Sequence, residues 1–185
     1  MNRASPTTAA VAACLVFWVG CAVATTTIDQ QWLDSARSPA PLGRTLVAAV
    51  LRDPQTAAAL EREWVQQLRS RGVDATAVDT LAPGARPTSK DAVVALVQQH
   101  GFDTVLVSKL VDIKQGGRDD PSAQVAEVEN RLYDARSGEP FWSVQTDTFV
   151  AGSSGSGEQV KRPRDELIRD FVATLIAEMV KAKLL

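Results

Sequence analysis

The stretch RTLVAAVLRDPQTAAALEREWVQQLRSRG, residues 44–72, decides the fold. Its first eight residues are a continuous apolar run, the pattern of a central strand covered on both faces. Asp53-Pro54 then reads as a helix start: a side-chain oxygen to cap the free N–H groups, followed by a proline where its missing N–H does no harm. Leu60, Trp64 and Leu68 recur every four residues and give that helix one buried stripe. Gly72 suits the left-handed position that ends it. A strand feeding a helix implies a parallel crossover.

Working outward, residues 73–81 alternate as a second strand, and residues 83–87 form a loop. Thr88 to Asp91 resembles a capping box, and the helix after it buries Val93, Val94, Leu96 and Val97 before Gly101 closes it. Residues 104–113 (TVLVSKLVDI) read as a third, central strand. The pattern then changes. The turn QGGRDDP at 115–121 leads to alternation over 123–133, and Ser137-Gly138 leads to a fifth strand over 141–150. Trp142, Val144, Thr146, Thr148 and Val150 share one side of that strand; Ser143, Gln145 and Asp147 share the other. Residues 164–185 make a final helix with Leu167, Ile168, Phe171, Val172, Leu175, Ile176, Met179 and Val180 on its apolar side. The expectation is an α/β (α+β) fold with a single mixed five-stranded sheet. Its element order is β-α-β-α-β-β-β-α, its strand order 2-1-3-4-5, and its helices pack on the sheet.

The N-terminus reads as an export signal. One positive charge, Arg3, precedes an apolar run over residues 9–20, and small residues lead into Cys21. Trp18-Val19-Gly20-Cys21 resembles the bacterial lipobox, with Trp18 where that family carries Leu, Val or Ile. The resemblance implies that Cys21 is lipidated, that residues 1–20 are removed, and that Ala22 sends the protein to the outer membrane, facing the periplasm. Two other readings stand beside it: ordinary cleavage after Ala22 or Ala24, and an uncleaved span over residues 7–28. Residues 21–43 read as the lipidated N-terminus and a tether, and residues 44–185 as the domain. Within the tether, Trp32-Leu33 either folds back on the domain or docks a partner.

Composition excludes several chemistries. Both cysteines, Cys14 and Cys21, precede the folded body, which therefore has no disulfide, thiol nucleophile or thiolate metal site. A net charge of −2 implies no nucleic-acid-binding face. The single histidine, His100, ends a helix, where a cation or donor satisfies terminal carbonyls. One histidine without cysteine argues against zinc and against a hydrolytic triad. GSSGSG at 152–157 has phosphate-loop glycines, but Glu158 and Gln159 replace the required Lys and Ser/Thr. Asp119-Asp120 lacks the alternating ligands of a calcium loop, and Glu127, Glu129 and Arg131 read as a solvated strand face.

Trp32, the strand–helix pair RTLVAAV…LEREWVQQLRSRGVDA, the phrase GFDTVLVSKLV and the Tyr133–turn–Trp142 hairpin together resemble small bacterial envelope lipoproteins of α/β fold. The layout is similar to the curli-secretion lipoprotein, the activator lipoproteins of penicillin-binding proteins and the N-terminal domain of TolB. That resemblance implies an assembly or adaptor factor, not an enzyme, with no cofactor and a periplasmic protein partner. Trp32, Arg118, Asp119 and Asp120 are the candidate partner-binding residues. The alternative is a binding module for a small envelope ligand, a glycan fragment or lipid. An open apolar cavity between sheet and helices favours the ligand; a filled core with an uncovered sheet edge favours the protein.

Overall fold

Alternation along β2 (Thr45–Val50) sends Leu46 and Ala48 to one face of the sheet and Val47 and Ala49 to the other. Both faces are covered there, as the continuous apolar run requires. The computed structural model describes residues 26–36, 41–84, 86–87, 89–115, 124–151 and 163–185. β2 leads into α1 (Pro54–Arg69), whose first turn is capped by Asp53: its carboxylate accepts from Gln55 N and Thr56 N. The hydrogen bond from the Thr56 hydroxyl, then that from its amide, holds the Asp53 carboxyl below its ordinary value.

After α1 come β3 (Ala75–Ala77), the single turn α2 (Val78–Leu81), α3 (Lys90–His100) and β4 (Thr104–Gln115). β5 (Gln124–Asp134), β6 (Pro140–Ala151) and α4 (Arg164–Lys181) complete the chain, and β1 (Thr26–Leu33) precedes it all. The sheet has six strands, not five, in the order β1-β6-β5-β4-β2-β3. β2 runs parallel to both β3 and β4, while the β4–β5, β5–β6 and β6–β1 pairs are antiparallel. The sheet is thus mixed, as expected, but the order changes because residues 26–33, read as tether, add a strand beyond β6.

Four further expectations shift. The second strand is three residues long, because at Val78 the chain turns into α2 and stops pairing with β2. Ser89, not Thr88, caps α3, accepting from Ala92 N. Of the four apolar residues assigned to the buried side of α3, Val97 is buried, Val93 and Leu96 are partly so, and Val94 is exposed. Val180 of α4 is likewise exposed.

The main core lies between one face of the sheet and the pair α1 and α4. There Leu60, Trp64, Leu68, Phe171, Leu175 and Met179 meet Leu106, Leu132, Trp142 and Val144. The smaller core, on the opposite face, sets Val97 and Phe102 against Leu46, Ala48 and Val105. Polar groups are placed in the main layer too. Trp64 Nε1 donates to Ser108 Oγ at 3.0 Å, and Ser108 donates on to Asn130 Oδ1 at 2.7 Å.

Candidate interaction surface

β1 is an outer strand, so one side of its backbone pairs with β6 and the other meets no strand among the described residues. Thr26, Thr27 and Ile28 favour extended backbone. The hydroxyls of Thr26 and Thr148 lie 3.2 Å apart, and Thr27 Oγ1 donates to Asp147 O. Pairing shifts between Ile28 and Gln30, leaving Asp29 as the extra residue of a bulge. Asp34 N donates to Phe141 O at 2.9 Å at the far end. Because alternate residues point their backbone groups to opposite sides, Trp32 faces β6, while Gln31 and Leu33 turn their N–H and C=O groups to the open edge. No lysine or proline blunts β1. The Trp32 and Leu33 side chains, 47% and 40% exposed, stand on opposite faces of the strand.

α3 covers one face of the sheet over β2 and β4, and the same face of β5, β6 and β1 carries polar cross-strand rows. One row is Trp32, Ser143, Arg131 and Val107; the next is Gln30, Gln145, Glu129 and Lys109; the third is Thr27, Asp147, Glu127 and Asp112. The third row sets three carboxylates side by side, and Lys114 from the adjoining row answers them. Lys114 Nζ lies 2.7 Å from Glu127 Oε2 and 3.8 Å from Asp147 Oδ1, and the Glu127 hydrogen bond first, then the Asp147 charge, raise the lysine's pKa. Arg131 meets Glu129, and its pKa is raised first by a hydrogen bond with Tyr133. Ion pairs of this exposure contribute little stability. The face expected to be solvated is instead a packed, paired one: Glu127 is buried and Glu129 and Arg131 are partly buried, because each meets an oppositely charged neighbour.

Among the predicted site residues, Trp32 lies on β1, whereas Cys21, Arg118, Asp119 and Asp120 lie outside the described residues, as does the glycine-rich stretch 152–157. The strand ends flanking Arg118, Asp119 and Asp120, Gln115 and Gln124, pair seven residues along β5 from Arg131, the residue in Trp32's row. At about 3.4 Å per residue Trp32 and those two strand ends lie toward opposite ends of the sheet. His100 ends α3, but the cation at that helix end is Arg44: its Nη1 donates to His100 O at 2.7 Å and to Gly101 O at 3.1 Å, and its guanidinium lies 5.3 Å from the Phe102 ring centre. No group of three metal-ligating side chains occurs among the described residues. An open cleft of about 360 Å³ lies between residues 50–52 and 110–113, where β4 outruns β2. No helix among the described residues is long and apolar enough to cross a membrane. The alternative span over residues 7–28 would overlap β1 at Thr26 to Ile28.

The fold defines a class: a mixed sheet with two helices packed on one face and a third on the other. No family model matches the sequence, and no curated protein matches it. Solved structures do. The PelC dodecamer from Paraburkholderia phytofirmans is 15% identical with a TM-score of 0.52, the match covering 83% of this chain and 96% of that one. Lipoprotein GNA1162 from Neisseria meningitidis is 16% identical with a TM-score of 0.50, covering 76% of this chain and 99% of that one. At such identities the likeness is one of fold. The narrower resemblance to curli-secretion, activator and TolB proteins is not carried by these two structures.

Proposed function

We propose that this chain is a non-catalytic envelope lipoprotein, anchored through Cys21 and facing the periplasm from the outer membrane, that works as an assembly or adaptor factor. The observation that carries the reading is the open edge of β1. A partner segment in extended conformation would add to Gln30–Leu33 by main-chain hydrogen bonds, with Trp32 and Leu33 gripping it from the two faces. Tryptophan is suited to this because it offers a large contact area at small entropic cost. The core beneath is filled by interleaved side chains, which favours a protein partner over a ligand enclosed between sheet and helices. The neisserial lipoprotein's shared fold is consistent with a lipid-anchored domain of this shape.

The edge can be tested separately from stability. Gln31→Pro removes an N–H that points away from β6, so the ladder within the sheet keeps its bonds. A photo-crosslinking residue at Gln30 in living cells is expected to give one discrete protein adduct, reduced roughly tenfold or more by Gln31→Pro while cooperative unfolding in urea persists. An adduct of unchanged yield in the folded proline variant would remove the edge from the account.

A further inference from the structure

The end of the sheet where β4 outruns β2 carries apolar side chains that no helix among the described residues covers. Val50, Val111 and Ile113 are 54%, 50% and 46% exposed and line the open cleft with Arg52 and Asp112. Asp112 turns one carboxylate oxygen back onto Ile113 N at 2.8 Å, whereas Arg52 stays exposed at the cleft. Strand register shows what lies beside this patch. Ile113 pairs with Ala126, Ala126 with Thr148, and Thr148 with Thr26, so all four occupy one row across the sheet. Thr26 begins β1, and Cys21 precedes it by 26 − 21 = 5 residues. Five residues span at most about 17 Å even when fully extended. Three strand spacings, about 14 Å, separate Thr26 from Ile113 along the row.

From this register we propose that the cleft end of the domain seats on the bilayer surface, Val50, Val111 and Ile113 entering the headgroup region while the Arg52 guanidinium meets lipid phosphates. The proposal rests on the reading of Cys21 as the lipid anchor. An acyl anchor at Cys21 keeps Thr26, and so Ile113 in its row, beside the lipid, with Val111 two residues back along β4 and Val50 on the neighbouring strand, opposite Lys109. The opposite end of the sheet, with the Asp134–Glu139 turn and Trp32, then projects toward the periplasm. Aliphatic side chains flanked by an arginine suit this boundary, where apolar burial and attraction to phosphate add.

The test uses the acylated full chain in vesicles of phosphatidylethanolamine and phosphatidylglycerol carrying a nitroxide on the lipid acyl chain. With Cys21 acylated, a fluorophore attaches to the single thiol of Ile113→Cys or of Ser137→Cys, the latter on the exposed turn at the other end. The probe at position 113 is expected to be quenched roughly threefold more than that at 137, a contrast that Val111→Asp reduces. Intact mass of the same preparations reads acylation independently. A chain without acyl groups overturns the anchor and the seat together. An acylated chain with equal quenching at both positions overturns the seat alone.

Discussion

Glu61→Ala is expected to lower the free energy of unfolding by about 3–5 kcal/mol, read from the urea midpoint and slope. Glu61 is fully buried, yet every direction around its carboxylate is occupied. Oε1 accepts from Ala49 N at 2.8 Å and from Arg86 Nη1 at 2.7 Å; Oε2 accepts from Asp79 N at 3.1 Å and from Arg86 Nη2 at 3.3 Å. Arg86 donates further to Ala49 O at 3.3 Å. One side chain of α1 thereby ties together β2, α2 and the segment leading to α3. Alanine would leave the Arg86 guanidinium only Asp79 Oδ1, 3.6 Å away, and Ala49 O, and would deprive two backbone N–H groups of their acceptor at once. Glu61→Gln, which keeps an acceptor and the volume, should cost less than alanine does. A change below about 1 kcal/mol for Glu61→Ala would mean that water replaces the carboxylate without loss.

Trp64→Ala should be comparably severe, about 3–5 kcal/mol, because it empties one of the two largest side-chain volumes in the main core and strips Ser108 of its donor. Trp64→Phe separates the two contributions: most of the ring volume stays, the hydrogen bond goes, and the loss should fall to about 1–2 kcal/mol. Urea unfolding of the three proteins gives the comparison. Equal losses for phenylalanine and alanine would place the energy in the Trp64–Ser108–Asn130 chain rather than in packing.

These two residues also show what the sequence could and could not convey. Trp64 lies on a stripe with Leu60 and Leu68, and the period alone placed it in the core. Glu61 lies on the same buried side, three residues before Trp64, but a glutamate there reads as solvated unless its partners are visible. Those partners are backbone groups of β2 and α2 and an arginine twenty-five residues away. β2, β4, β5, β6 and α4 were legible because each buries a full face or a full stripe. β1 was not. Only Thr26 and Ile28 are even partly buried in it, so no period marks the strand, and pairing with β6 alone makes it one. The second strand was overextended for the opposite reason: Val78 is buried in the smaller core, but from a helical turn. Of the candidate site, Trp32 was legible as an aromatic out of place in a polar segment. The open edge that carries it depends on a pairing with residues more than one hundred positions later.

The most direct test of the central claim sets Gln31→Pro beside His100→Gln in cells lacking the native gene. His100 is the side chain on which a catalytic base would most readily rest, and Gln31 presents only backbone to the open edge. The expected result is that both variants fold and localise normally, that His100→Gln restores the wild-type phenotype, and that Gln31→Pro does not. A folded, correctly localised His100→Gln protein without function, beside a functional Gln31→Pro protein, would contradict the adaptor reading and point to chemistry at His100.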